Sequence, residues 1–94
     1  MAFEILLTAD AERDLDALRA YDHAIIVEAM ETHLKDEPTK VSRARIKKPD
    51  QPAISQYRLR VGDYRVYYDV EESDKHVIVI QIYEKGRGPT SEKT

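Results

Sequence analysis

The stretch from Tyr57 to Tyr68, YRLRVGDYRVYY, decides the fold. Its first half alternates between apolar and cationic side chains, and a period of two is typical of a strand with one buried face. Gly62 and Asp63 then form a two-residue connection of the kind that closes a tight hairpin, because glycine readily takes the positive φ needed at the first central position. The segment from Tyr64 to Val70 is therefore predicted to be the partner strand.

The length of this turn determines which side chains face each other across the hairpin. Counting outward from the turn predicts three pairs on the buried face: Val61 with Tyr64, Leu59 with Val66, and Tyr57 with Tyr68. The opposite face is predicted to pair Arg60 with Arg65 and Arg58 with Tyr67. Three guanidinium groups and a phenol should thus lie together on one side of a sheet.

The arginine cluster, Arg58, Arg60 and Arg65, has two interpretations. Like charges directly across a hairpin repel each other, so these side chains either pair with acids such as Asp69 or stay solvated, or they bind an anion. The planar fork of arginine is suited to phosphate. Fixed donors of this kind would promote RNA cleavage by its own 2′-hydroxyl, because they stabilise the charge that builds up on the phosphate. Proton transfer needs another group, and Tyr67 and Lys85 are the nearest candidates by pattern.

A strand and a helix are predicted at the start of the chain. The run from Phe3 to Leu7 is short and apolar, as expected for a strand. Thr8 then provides an N-cap hydroxyl for a helix whose apolar face contains Ala11, Leu15 and Leu18.

A second helix is predicted to be capped by Asp22 and closed by Pro38. Its inward stripe and the residues that widen it are Ile26, Met30 and Leu34, with Ile25, Val27 and Ala29. The junction between the two helices is short, so they are predicted to form an antiparallel hairpin.

The remaining segments complete the sheet. Weak alternation from Val41 to Lys48 predicts an edge strand, and the turn-forming residues 49–52 predict a loop. A polar loop follows at 71–75, and the nearly all-apolar stretch from His76 to Glu84 is predicted to be a central strand covered on both sides. The predicted fold class is α+β, with an N-terminal antiparallel helix hairpin packed on a small, mostly antiparallel β-sheet.

The composition narrows the class of protein. A chain of 94 residues, 41% hydrophobic and 35% charged, is suited to one globular domain. The absence of cysteine excludes disulfides, thiolate metal sites and cysteine nucleophiles. The longest apolar run, Val77 to Ile80, is too short to span a bilayer, so the chain is expected to be cytoplasmic with no membrane partner. Scattered histidines and the lack of a glycine-rich phosphate loop predict no metal and no cofactor.

The charges are segregated along the chain, although the net charge is only −3. Residues 1–37 contain ten acidic and three basic side chains, whereas residues 38–65 contain eight basic and two acidic ones. A basic middle segment of this kind is compatible with binding to a nucleic-acid backbone, which the net charge alone would disfavour.

The hairpin also resembles the most recognisable segment of the RelE/ParE superfamily of toxins. In that segment Tyr, Arg, a hydrophobic residue and Arg precede a turn that contains glycine, and Tyr, Arg, a hydrophobic residue, a variable residue and Tyr follow it. The resemblance extends to the acidic loop at Glu71 and Glu72, the apolar strand and the preceding helix pair. It implies one toxin domain over residues 1–88, followed by a polar tail at 89–94. It also implies a toxin of a type II toxin–antitoxin system.

In RelE-like ribonucleases, basic residues of this hairpin and of the segment after the last strand bind messenger RNA on the ribosome and stabilise its cleavage. The resemblance implies that Arg58, Arg60, Arg65 and Lys85 are the catalytic candidates. The RNA-binding candidates are Arg43, Arg45, Lys47, Lys48, Tyr67 and Arg87. The family often has a tyrosine near the C-terminus, but no tyrosine follows Tyr83 here, so the proton-transfer residue is left open.

Three functions therefore remain open, and they share one partner. The first is a ribosome-dependent messenger RNA endoribonuclease that inhibits translation. The second is a ParE-like inhibitor of DNA gyrase, and the third is a catalytically degenerate member that acts as an antitoxin-bound co-regulator. In each case the expected partner is a cognate antitoxin protein in a hetero-oligomer, in which a disordered antitoxin segment folds over the toxin.

Overall fold

The structure, a computed structural model, describes residues 2–49 and 54–85. Its elements are β1 (Glu4–Leu7), α1 (Ala9–Asp16), α2 (Ala20–Leu34), β2 (Ile46–Lys47), β3 (Tyr57–Val61), β4 (Tyr64–Glu71) and β5 (His76–Glu84). The five strands form one sheet in the order β1-β5-β4-β3-β2. Only β1 and β5 are parallel, and every other neighbouring pair is antiparallel. The predicted α+β class, with two helices packed on a mostly antiparallel sheet, is confirmed.

The hairpin of β3 and β4 has the predicted register at every position. Val61 lies opposite Tyr64, Arg60 opposite Arg65, and Arg58 opposite Tyr67. Gly62 has a φ of +57°, as the turn requires. The alternating pattern and the turn length were therefore sufficient to predict this part of the fold.

The core lies between one face of the sheet and the two helices. The sheet contributes Leu59, Val61, Val66, Tyr68, Val77, Val79 and Ile82, and the helices contribute Ala11, Leu15, Ile26, Met30 and Leu34. Tyr68 is fully buried, and its hydroxyl donates to the Pro38 carbonyl at 2.5 Å. This bond satisfies the phenol in the core, where an unpaired polar group would be destabilising.

Helix α1 begins after Thr8 as predicted, and it continues the line of β1 along the edge of the sheet. The Thr8 hydroxyl accepts from the Ala11 amide at 3.1 Å and donates to the Ile80 carbonyl at 2.7 Å. Further along, the Asp14 carboxylate accepts from the Ile82 amide at 3.0 Å. Helix α1 therefore satisfies backbone groups of β5 beyond the point where β1 ends.

Helix α2 differs from its prediction at the N-terminus. It begins at Ala20 with Arg19 as N-cap, so the prediction that Asp22 caps it was wrong. The Asp22 carboxylate instead accepts from the Tyr64 hydroxyl at 3.1 Å and lies 3.8 Å from the Arg19 guanidinium. Ile25 was also predicted wrongly, because it lies off the buried stripe and is 38% exposed.

Strand β2 is much shorter than the predicted Val41–Lys48 strand. The Ser42 hydroxyl accepts from the amides of Arg45 and Ile46, at 3.1 and 3.3 Å, and these bonds turn the chain just before the strand. The predicted loop at 49–52 lies outside the described residues except for Pro49.

Strand β5 has the predicted bounds, but only one of its faces is buried. Val77, Val79 and Ile82 are buried against the helices, whereas the opposite face is partly exposed. The prediction that both faces are covered was therefore wrong. Across the described residues, no helix is long and apolar enough to cross a membrane.

Candidate functional site

The candidate site is the face of the sheet that points away from the helices, called here the outer face. Residues directly opposite each other on antiparallel strands share a face. The register therefore assembles two rows, Arg60–Arg65–Tyr83 and Lys47–Arg58–Tyr67–Gln81. The cationic side chains lie on β2, on β3 and near the start of β4. Tyr83 and Gln81 extend the two rows onto β5.

Arg65 is the most firmly held of the three arginines. Its Nη1 donates to the carbonyls of Gly62 and Tyr64, each at 3.0 Å. Hydrogen bonds within the described part of the chain use only this nitrogen, so Nε and Nη2 form a fork that can meet an anion. The hairpin turn thus fixes one side of the guanidinium and presents the other.

The arginines repel each other. Partial burial lowers the pKa of Arg65, and the positive charges of Arg58 and Arg60 lower it further. Within the described residues, no carboxylate lies within ion-pair distance of Arg60 or Arg65. Asp69, considered as a neutralising partner, instead accepts from the Gln56 amide at 2.7 Å. A bound anion would relieve this repulsion.

Sequence reasoning missed Tyr83, which the structure places opposite Arg65. Its ring contacts Tyr67 edge to face, with centroids 5.6 Å apart, and its hydroxyl donates to Gln81 Oε1 at 2.6 Å. Partial burial and the nearby carboxylates of Asp14 and Asp10 raise the pKa of Tyr83. Tyr83 therefore keeps its proton at neutral pH and can donate a hydrogen bond, but it is poorly suited to act as a base.

No local sequence signal identified Tyr83, because β5 is almost entirely apolar and shows no contrast between its faces. A register shift between Tyr67 and Tyr68 also changes which residues of β5 lie on the outer face. A register counted from the loop would have placed the wrong residues on the outer face. The contact between Tyr67 and Tyr83 thus depends on a feature visible only in the structure.

The predicted RNA-binding residues around β2 do not all reach the outer face. Lys47 lies opposite Arg58 and joins the cluster. Lys48 instead lies over the Tyr57 ring, 5.7 Å from its centroid. Arg45 lines a separate cleft with Asp36 and Glu37. Arg43 is exposed and lines a shallow surface with Val41, Lys47 and Lys48, among others.

Two residues after β5, Lys85 and Arg87, were predicted to contact RNA, and the structure describes only Lys85. Lys85 is exposed, and its amide donates to the Asp63 carbonyl at 2.5 Å, so it lies beside the hairpin turn. Its position at the end of β5 places it next to the arginine row. Arg87 and the predicted tail at 89–94 lie outside the described residues.

A group of potential metal ligands occupies the other end of β5. Glu71, Asp74 and His76 offer ligand atoms within 4.8 Å of one another, and His76 Nε2 also lies 3.5 Å from the Glu4 carboxylate. The sequence had not predicted that carboxylates converge on this histidine, because the register that pairs Glu71 and Glu4 with His76 was not inferred. The group is remote from the arginine cluster along the strands.

An apolar groove of about 450 Å³ lies between β1 and the two helices. Its apolar lining consists of Phe3, Ile5, Leu7, Leu15, Val27 and Met30. Leu7 is 37% exposed there.

Solved structures support the fold. A chain of the RelBE2 toxin–antitoxin complex of Mycobacterium tuberculosis superposes with a TM-score of 0.77 at 24% identity, covering 90% of this chain and 100% of that one. A chain of the archaeal RelE–RelB complex of Pyrococcus horikoshii OT3 superposes with a TM-score of 0.73 at 23% identity, covering 94% and 100%. These identities are low, so the likeness establishes the fold alone.

Sequence comparison gives the family. No curated protein sequence matches the chain. The model of the family described as the ParE toxin of type II toxin–antitoxin systems, parDE, matches residues 5–88, which include both helices, the sheet except for Glu4, and the arginine hairpin. The chain therefore belongs to the ParE toxin family of type II toxin–antitoxin systems.

Proposed function

We propose that this toxin is an endoribonuclease that cuts messenger RNA on the ribosome. The observation that carries the proposal is the set of cationic side chains on one face of the sheet, with Arg60 and Arg65 directly opposite each other. Such an arrangement is unfavourable in the free protein, and a polyanionic ligand would offset the repulsion. RNA supplies closely spaced phosphates.

The proposed reaction needs only the RNA, the protein and water, which takes up the proton of the 2′-hydroxyl. The 2′-oxygen attacks the adjacent phosphorus, the bond to the 5′-oxygen breaks, and a cyclic phosphate and a 5′-hydroxyl result. Negative charge accumulates on the phosphate oxygens during this step. Arg65, held by two backbone carbonyls, and Arg58 and Arg60 beside it are the proposed donors to that charge. One well-placed donor of this kind contributes about 3 kcal/mol to lowering a barrier.

Proton transfer to the leaving group is proposed to take place at the end of the site beside the Gly62–Asp63 turn. The leaving 5′-oxygen must gain a proton, and Lys85 beside the turn is the proposed donor. Tyr83 is not a suitable base for the 2′-hydroxyl, because partial burial and two carboxylates raise its pKa. Lys47, opposite Arg58, is proposed to contact the RNA backbone. Tyr67, predicted from the sequence as an RNA contact, is only 3% exposed and is proposed to support the Tyr83 ring instead.

The proposed partner is a cognate antitoxin in a hetero-oligomer. One structural neighbour was solved as a toxin–antitoxin complex and the other as a RelE–RelB complex. The apolar groove between β1 and the helices offers a surface for apolar side chains of such a partner.

The second candidate function is inhibition of DNA gyrase without nucleic-acid cleavage. The match to the ParE toxin family favours it. The same cationic surface would then bind a protein or DNA surface, and no bond in RNA would be broken.

The test is a translation reaction with purified ribosomes and a defined message, with the ends mapped by primer extension. We expect the wild type to cut at codons and Arg65→Ala to lose at least a hundredfold in rate, because a charged donor to the reacting phosphate is removed. Arg13→Ala, on the exposed face of α1, is the matched control and should cut normally. An intact message with the wild type would contradict the proposal, and a gyrase supercoiling assay would then test the second candidate.

A further inference from the structure

The aromatic pair on the outer face has one member suited to contact a ligand. Tyr67 is only 3% exposed, whereas Tyr83 lies on top of it and is partly exposed. The edge-to-face contact with Tyr67, at an interplanar angle of 80°, and the hydrogen bond from its hydroxyl to Gln81 both restrain the Tyr83 ring. A ring held in this way loses little conformational entropy when a flat ligand stacks on it.

The charges on the two sides of Tyr83 favour one orientation of a bound nucleic-acid strand. Arg65 lies opposite Tyr83 on the neighbouring strand, and Arg60 continues the row beyond it. On the other edge of β5, away from β4, the Asp14 carboxylate of α1 accepts from the Ile82 amide at 3.0 Å, and Asp10 lies one turn before it in the same helix. A phosphate backbone is attracted to the arginine side and repelled from the α1 side, so a base attached to that backbone can reach the ring while its phosphate stays on the arginines.

We propose that Tyr83 is a specificity-determining residue that stacks on an unpaired base, so that the outer face selects single-stranded over double-stranded RNA. The inference rests on the proposed function, since it takes RNA as the ligand of this face. In a duplex the bases are paired and stacked on each other, so a duplex offers its phosphates to the arginines but no base to Tyr83. Aromatic rings on a cationic surface distinguish the two forms by this means.

The experiment measures binding of the full-length chain to three ligands at low salt by fluorescence anisotropy. The ligands are a labelled RNA hexanucleotide, the same strand with every base removed, and a duplex of equal length. The variants are Tyr83→Leu and Tyr83→Phe, and Tyr21→Leu on the exposed surface of α2 is the matched control. Ribosomal cleavage by the wild type is measured separately.

We expect the wild type to bind the intact single strand about tenfold more tightly than the abasic strand or the duplex, the size of one stacking contact. Tyr83→Leu should lose that factor on the intact strand and nothing on the abasic strand, which carries the same phosphates. Tyr83→Phe keeps the ring and should retain most of the preference, and Tyr21→Leu should behave as the wild type.

Two results would overturn the inference. One is a wild type that binds the intact strand no better than the abasic strand or the duplex, an outcome that does not depend on whether a variant folds. The other is a Tyr83→Leu variant that weakens the intact and abasic strands equally. Neither result bears on cleavage, and a chain that shows the preference without cutting messages on ribosomes would contradict the proposed nuclease and leave the stacking role in place.

Discussion

Arg60 is a residue whose charge works against the stability of the folded chain. It is exposed, it lies directly opposite Arg65, and it contributes to the lowered pKa of Arg65. Within the described residues no carboxylate is close enough to pair with it. Like charges facing each other across strands cost a few tenths of a kcal/mol or more. A residue of this kind indicates a surface adapted to a ligand at some cost in folding free energy.

Arg60→Gln should therefore stabilise the protein and weaken its action on RNA. We expect the free energy of unfolding to rise by about 0.5 kcal/mol in low salt, which corresponds to about 3 °C in melting temperature for a chain of this size. Calorimetry and the ribosomal cleavage assay measure the two effects, and added sulfate should stabilise the wild type more than the variant. Arg13→Gln, which loses an ion pair of 3.1 Å with Asp10, is the control and should not stabilise. A lower melting temperature for Arg60→Gln in low salt would contradict the interpretation.

At the scale of elements, the Thr8 hydroxyl both caps α1 and bonds to the sheet. Thr8 caps the helix by accepting from the Ala11 amide, and it also donates to the Ile80 carbonyl of β5. We expect Thr8→Val, which keeps the shape but removes both bonds, to lower the free energy of unfolding by about 1–2 kcal/mol. Thr8→Ser keeps the hydroxyl and is the matched variant. Urea denaturation measures both, and an equal loss for the two variants would show that the methyl group and not the hydroxyl matters.

Sequence patterns predicted the elements in which polar and apolar positions contrast. The register of β3 and β4 followed from strict alternation and a two-residue turn, and the buried stripe of Ile26, Met30 and Leu34 followed from helical spacing. The arginine cluster was predictable for the same reason, because it is the outward half of that alternation. Local patterns were sufficient wherever the partner strand was the next one along the chain.

Elements set by distant contacts were not predictable. Asp22 accepts from Tyr64, 42 positions away, and does not cap α2. The shortness of β2 has a local cause, the bonds from the Arg45 and Ile46 amides to the Ser42 hydroxyl, which weak alternation did not reveal. Tyr83 reaches Arg65 only because a register shift changes the phase of β4 and β5. Half of the candidate site was therefore visible in the sequence, and the other half required the pairing of β5.

For the whole molecule, the segregation of charge along the sequence becomes a separation in space. The acidic segment 1–37 contains both helices. The outer face and the adjoining turn carry Lys47, Arg58, Arg60, Arg65 and Lys85. A net charge of −3 thus coexists with a strongly cationic surface on one side of the sheet. The opposed charges orient the molecule, because a polyanion is attracted to one side and repelled from the other.

This charge separation predicts how binding to RNA depends on salt. Five cationic side chains contacting a single strand should give a slope of about −3.5 in a plot of log affinity against log salt concentration, because each contact releases condensed counterions. Lys47→Gln should reduce the magnitude of the slope by about 0.7. Glu28→Gln, at an exposed position of α2, should leave the slope unchanged, although each variant changes the net charge by one unit. Fluorescence anisotropy with an RNA hexanucleotide over a range of salt concentrations measures the slopes. If the two variants shifted the slope by similar amounts in opposite directions, RNA would be responding to net charge and not to the outer face, and the assignment of that face as the RNA-binding surface would have to be abandoned.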